Sequence, residues 1–405
     1  MKYCYENNIA VTPFGTGTGL EGGVNSLAGG VCIALTRLNK VVEVNEADFD
    51  CTVEAAVTWR DLNQHLSGTG LFFPVDPGAS ASLGGMASTN ASGTNAVFYG
   101  TMKENVINLE VVLPNGEIIH TAGKIARPRK SAAGLNLTEL FVGAEGLLGI
   151  ITQITLRLYP IPETTCTCIC HFDEDKATID TVIELIQNTI PLSRIEYIDA
   201  SSMRAANAFS KVDWPEKPSL FLDICGNKSE VESIVNLAKG ILESNGGTGF
   251  KYSSKNEERS KLWKARHELY YACRASRPGQ NALITDVCVP ISRLTNIILK
   301  MRQLILDLKI NGYSFGHVGD GNFHSVITYN ENDQDEIRRV WEATEKIAEE
   351  AIKLGGTCTG EHGIGRGKMN LLEKQFDQNT IELMKTIKKA IDPKLLFNPG
   401  KVVKM

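Results

Sequence analysis

The chain has 405 residues, 42% hydrophobic and 22% charged, enough for two or three domains with a sizeable core. Its net charge of -5, without any Lys/Arg-rich block, argues against a nucleic-acid partner. No apolar run is long enough to span a bilayer, because the most apolar stretch, residues 140–156, is interrupted by Glu145, glycines and Gln153.

The opening "MKYCYENN" reads as the tail of a helix with no N-cap before it, so we expect the chain to start inside a structural unit. It has neither signal-peptide nor transit-peptide character. Residues 9–160 are strand-rich, with "VCIAL", "VVEV" and "CTVEAAV" in turn. "VINLEVVLPNGEIIH" gives two alternating runs around Pro114-Asn115-Gly116, a hairpin signal. "GIITQITLRLYP" then reads as one long strand ending at Pro160.

From residue 161 strands alternate with amphipathic helices. "CTCICHF", "LFLDICG", "ALITDVCVP", "YSFGHVG" and "FHSVITY" are the strands. Helices are expected near 174–189, 229–244, 291–310 and 333–354, the last ending at Gly355-Gly356. This rhythm predicts a sheet covered by helices on one face. The tail carries "TGEHGIG", one more helix and "LLFNPGK". Cys166, Cys168 and Cys170 share one face of their strand and read as buried reduced thiols rather than a soft-metal cluster. The ten cysteines have no framework spacing, which favours a reducing compartment.

Two glycine-rich loops stand out in the first half. "PFGTGTGLEGG", residues 13–23, suits a nest of backbone N–H groups for a diphosphate, although a structural glycine turn fits it equally well. It is no Walker A loop, and it lacks the helix and downstream acid of a Rossmann fingerprint. Residues 75–102 form a stretch of small and hydroxyl-bearing residues, uncharged between Asp76 and Lys103. Such residues cannot form a packed helix or strand core by themselves, and they suit a loop laid along a large, flat cofactor.

In the second half, "GHVGDGNFH" places His317 and His324 around a glycine turn, and Glu361-His362 follow in "TGEHGIG". A metal site, a phosphate cradle and a tight loop all remain open on spacing alone. Two imidazoles and a carboxylate make a common transition-metal set. Three of the chain's 7 histidines sit in these two motifs.

"PFGTGTGLEGG", "PGASASLGGMASTNASGTNAVFYGT" and "FVGAEGLLGIITQITLRLYP" resemble the FAD domain of vanillyl-alcohol-oxidase-type flavoproteins. "GHVGDGNFH", "TGEHGIGRGK" and "LLFNPGK" narrow the resemblance to the FAD-linked D-2-hydroxy acid dehydrogenases, nearest their cytochrome-dependent mitochondrial members. The resemblance implies an α+β, two-domain flavoprotein. Residues 1–160 would be the FAD domain with its first strand and half-helix missing, 161–356 an antiparallel, helix-covered cap, and 357–405 a segment completing the active site and returning to the FAD domain. That missing start puts FAD affinity in doubt.

The resemblance puts the diphosphate on Gly15, Thr16, Gly17, Thr18, Gly19 and Leu20. Pro77, Gly78, Ser82, Gly84, Gly85, Ser88, Asn90, Gly93 and Thr101 would line the ribityl chain and isoalloxazine. Glu145, Gly146, Gly149 and Ile151 match the adenosine side, and Asn398 a position near the flavin. No histidine lies in residues 12–23, so FAD is expected to be non-covalent. His317, His324 and Glu361 would hold a divalent metal (Zn or Mn), with Asp320 and Asn322 shaping the loop. Hydride would pass from Cα of the acid to flavin N5 while His362 takes the hydroxyl proton. Arg266 in "LWKARHELYY" would bind the substrate carboxylate, in preference to Arg274 and Arg277.

Relatives acting on dicarboxylates carry a lysine where Ile284 and Thr285 stand, so a small monocarboxylate such as D-lactate is implied. Electrons would go on to cytochrome c or another carrier, in mitochondria. The competing readings are an oxygen-using oxidase, a flavin-free metallohydrolase and a truncated, inactive chain.

Overall fold

The computed structural model describes all 405 residues and divides into two compact units. The first comprises Met1–Asn95, Tyr99–Ile161 and Glu361–Met405; the second comprises Ala96–Phe98 and Pro162–Gly360.

The first unit contains a five-stranded antiparallel sheet in the order Val41–Asn45, Asp50–Glu54, Ile150–Arg157, Val106–Val112, Ile118–His120. The Pro-Asn-Gly turn forms the expected hairpin: Leu113 N–H donates to Glu117 O at 2.8 Å, and Glu110 pairs with His120. A separate parallel pair joins Val11–Phe14 to Val31–Ala34. The long strand stops at Arg157, and Tyr159–Pro160 instead pairs with Leu71–Phe72.

Two expectations need correction here. The loop 75–102 contains two short helices, Leu83–Thr89 and Ala96–Tyr99, and a third, Met102–Asn105, starts at its end. Small side chains permit the first of these to lie close against the sheet, since a Cβ at Gly84 would sit 2.7 Å from Ala55 Cβ. The tail carries two helices, Met369–Gln375 and Gln378–Ile391, rather than one. Asp377 breaks the run, its side chain accepting from Thr380 N–H and so capping the second helix.

The second unit is built on an antiparallel sheet in the order Thr248–Ser253, Thr164–His171, Ser219–Gly226, Leu192–Ile198, Asn311–Gly316, Asn322–Tyr329, Asn281–Ile284. Val287–Cys288 pairs further along Asn322–Tyr329. The expected single strand "ALITDVCVP" is thus interrupted at Thr285-Asp286, where Asp286 turns its carboxylate to side-chain and loop partners.

Ile169, Ile198, Phe221 and Phe315 pack with Met203, Trp263 and Leu269 from the helices Ala200–Ser210, Asn256–His267 and Leu269–Ala275. The alternate residues Cys168, Cys170, Leu220 and Leu222 are buried as well, on the side where Lys228–Ser244 packs. Helices therefore cover both faces, not one, which is why these strands read as nearly continuous apolar runs. The three cysteines of Thr164–His171 are buried free thiols, as their alternation predicts. No helix is long and apolar enough to cross a membrane.

Candidate functional site

The two glycine-rich loops meet in the first unit. Ser82 N–H donates to Thr16 Oγ1 at 3.3 Å. Ser82 Oγ is buried without a hydrogen-bond partner. A Cβ on Gly15 would come within 2.5 Å of that oxygen, and one on Gly85 within 3.1 Å. Bare backbone thus surrounds one unused hydroxyl, while Thr16 through Leu20 lie exposed beside it. An anionic, oxygen-rich group such as a diphosphate fits this cradle. Asp76, the one acid in the long loop, closes its base by accepting from Thr94 Oγ1 (2.7 Å) and Asn95 N–H (3.2 Å).

Other expected cofactor residues serve the loop itself. Asn90, in the left-handed region at φ 50°, accepts from Lys103 N–H and Thr101 Oγ1; Ser88 Oγ donates to Gly84 O. Pro77 is half-buried and Gly78 exposed. Gly93 packs on Asp76, Gly149 on Val111, Gly146 on Pro13, and Ile151 is buried in its strand.

Glu145 is placed by its surroundings on the segment after His362: its carboxylate accepts Ile364 N–H (2.7 Å) and Gly365 N–H (2.8 Å). Burial raises its carboxyl above the usual range despite those two donors. Asn398 Nδ2 donates to Glu145 O, and Lys401 Nζ donates to Asn398 Oδ1 and Gly23 O. The "FNPGK" tail therefore ties the end of the first glycine loop to the Glu145 turn. Within this unit Glu361 and His362 lie beside one another, with Oε1 and Nε2 3.9 Å apart.

The second unit assembles the histidines. The rings of His317 and His324 have centroids 5.5 Å apart and stand nearly perpendicular. The turn between them requires glycine at 321, where φ is +87° and a Cβ would sit 2.1 Å from Val289 O. His317 Nδ1 lies 2.5 Å from Glu196 Oε1, and His324 Nδ1 lies 3.2 Å from the backbone oxygen of Thr285. Both neighbours are acceptors, so Nδ1 is the donor in each pair and fixes the orientation of its ring. That is the arrangement of a ligating histidine, and it fits a divalent metal.

Arg266, in the last turn of its helix, is buried over the Phe315 ring and donates from Nε (2.8 Å) and Nη2 (2.5 Å) to Glu196 Oε2. Burial alone would push the Glu196 carboxyl up, but Arg266 and His317 together hold it down at about 2. Arg277 is engaged with Glu336 and Thr328 O, whereas Arg274 lies exposed near Tyr270.

Sequence reasoning missed two acids here. Glu196 was one acid in an otherwise ordinary strand. Asp286 binds Asn322 Nδ2 (2.8 Å), Thr359 Oγ1 (2.7 Å) and Gly360 N–H (2.8 Å). Its buried carboxylate thereby links the histidine turn and the residue preceding Glu361 in one network. Asp320 Oδ1 accepts Asn322 N–H at 3.3 Å and shapes the same turn. Ile284 and Thr285 bring no cation to the site; Thr285 Oγ1 accepts from Ser325 N–H.

Comparison with known proteins agrees with this architecture. Residues 1–122 match an FAD binding domain, and residues 161–402 match the C-terminal domain of FAD linked oxidases. The chain is 51% identical over 404 residues to a probable mitochondrial D-lactate dehydrogenase of Danio rerio, covering all of this chain and 81% of that one. It is 39% identical to the mitochondrial D-lactate dehydrogenase [cytochrome] of Arabidopsis thaliana, covering all of this chain and 70% of that one. Among solved structures, 4-ethylphenol oxidase from Gulosibacter chungangensis superposes with a TM-score of 0.79 at 17% identity, over 99% of this chain and 86% of that one. That last likeness concerns the fold, which is of the vanillyl-alcohol-oxidase type. The chain belongs to the FAD-linked oxidases, in the group that contains the D-lactate dehydrogenases, and is an FAD-dependent oxidoreductase.

Proposed function

We propose that this enzyme oxidises D-lactate or a similarly small D-2-hydroxy monocarboxylate with non-covalent FAD and a divalent metal. The observation that carries the reading is the pair of imidazoles with Nδ1 committed to acceptors, one of which, His317, is joined through Glu196 to a buried arginine. Relatives that share the whole length of this chain carry the name D-lactate dehydrogenase, which supports the substrate. The lack of a second cation at Ile284 and Thr285 favours a monocarboxylate.

Bound FAD supplies the acceptor for the two electrons that leave with the Cα hydrogen. A divalent ion on His317, His324 and Glu361 would supply Lewis acidity that lowers the pKa of the substrate hydroxyl. Arg266 orients the substrate through its carboxylate, using the guanidinium edge that Glu196 leaves available. His362 accepts the hydroxyl proton, so alcohol becomes ketone as two electrons and two protons depart. Gly360 is held on Asp286, so Glu361, one peptide bond further, starts about 3.8 Å away in Cα position from an anchored residue. The name of the Arabidopsis relative supports a cytochrome as the electron acceptor, and the relatives' names support a mitochondrial location.

Chelation tests the metal. Stripping the holoenzyme should lower D-lactate turnover about 10²- to 10³-fold, equivalent to several kcal/mol of lost charge stabilisation, with recovery on adding Mn²⁺ or Zn²⁺. Full turnover by protein shown to be metal-free would sink the reading.

A further inference from the structure

Glu196 is a carboxylate in the interior of the strand Leu192–Ile198, with no exposed surface, between the buried Ile195 and Tyr197. Such burial is costly unless the charge is fully paired. Here both oxygens are used, each on a different partner: Oε2 takes Nε and Nη2 of Arg266, and Oε1 takes Nδ1 of His317. The partners come from distant parts of the chain. Arg266 lies on the helix Asn256–His267, and His317 directly follows the strand Asn311–Gly316, whose Gly316 pairs with Tyr197.

Stability alone is a poor reason for this arrangement. Buried ion pairs are often replaceable by apolar residues at no loss. What an apolar residue could not do is fix two functional groups at once. The Oε1 contact keeps the His317 proton on Nδ1 and turns Nε2 toward the proposed metal. The Oε2 contact takes two of the five guanidinium N–H groups and fixes the plane of Arg266, leaving three for a substrate carboxylate.

We propose that Glu196 is the positioning residue that couples the metal ligand His317 to the carboxylate-binding Arg266, an inference resting on the metal reading above. Through this bridge, loss of one carboxylate weakens metal binding and substrate binding together. Neither effect requires Glu196 to touch the substrate. Carboxylates behind ligating histidines commonly contribute about 10- to 100-fold to metal affinity.

The test is a Mn²⁺ titration, followed by electron paramagnetic resonance, of chelated, FAD-loaded enzyme. Glu196→Gln should weaken Mn²⁺ binding about 10- to 100-fold and raise KM for D-lactate, with FAD content unchanged. Because Glu196→Gln leaves a buried arginine without its counter-charge, the double variant Glu196→Gln/Arg266→Met gives a second reading of Mn²⁺ affinity without that cation. Mn²⁺ bound as tightly as by the wild type in either folded variant overturns the inference. If His324→Ala loses Mn²⁺ while Glu196→Gln keeps it, the inference alone fails. Wild-type enzyme that binds no Mn²⁺ overturns the metal reading, and this inference with it.

Discussion

His362→Gln should lower kcat for D-lactate about 10²- to 10⁴-fold, the span that positioned general bases contribute. Glutamine retains much of the shape and a hydrogen-bonding tip but cannot take a proton near neutral pH. The Glu145 carboxylate still holds the Ile364 and Gly365 N–H groups in the variant, so the segment keeps its course. FAD content and Mn²⁺ affinity should then stay near wild type, and the loss should fall on kcat more than on KM. Steady-state kinetics beside flavin absorbance make the check. A variant with wild-type kcat would remove His362 from the proton transfer.

Asp286→Ala should be the most damaging single change in the second unit. Three donors converge on this carboxylate, from Asn322, Thr359 and Gly360. Removing it leaves one buried donor, on Asn322, and two part-buried ones unsatisfied, the buried one at about 1–3 kcal/mol and the others at less, so a loss of about 2–4 kcal/mol is expected. Thermal or urea unfolding measures that loss, and activity should fall with it because the histidine turn is held by the same contacts. Asp286→Asn, which keeps an acceptor, should lose less. Equal stability of Asp286→Ala and wild type would show that the network is not a support for the turn.

Much of the fold was legible because its signals are local. Pro114-Asn115-Gly116 forms a hairpin wherever two alternating runs flank it, and Gly355-Gly356 stops the helix Gln334–Lys353. The short helix at Leu83–Thr89 was hidden because its sequence, LGGMAST, has poor helical propensity. Packing against Ala55 offsets that weakness, and the contact joins residues far apart in sequence.

The histidine turn was visible as a motif, while the groups that orient it were not. Glu196 precedes Arg266 by 70 residues and His317 by 121. No local pattern relates three such positions. The one clue was an acid between isoleucine and tyrosine in "SRIEYI", inside an otherwise buried strand. Asp286 left a similar trace, an acid interrupting the apolar run "ALITDVCVP". A charged residue buried within an apolar run needs a partner, and here each partner set includes a candidate site element.

In this enzyme the flavin should be reduced by one enantiomer of a small 2-hydroxy acid. The most direct measurement is anaerobic mixing of FAD-loaded enzyme with D-lactate or L-lactate while the flavin absorbance is followed. Bleaching by D-lactate and none by L-lactate is the expected result, followed by rapid reoxidation with cytochrome c rather than oxygen. A bound flavin that D-lactate leaves oxidised would contradict the account.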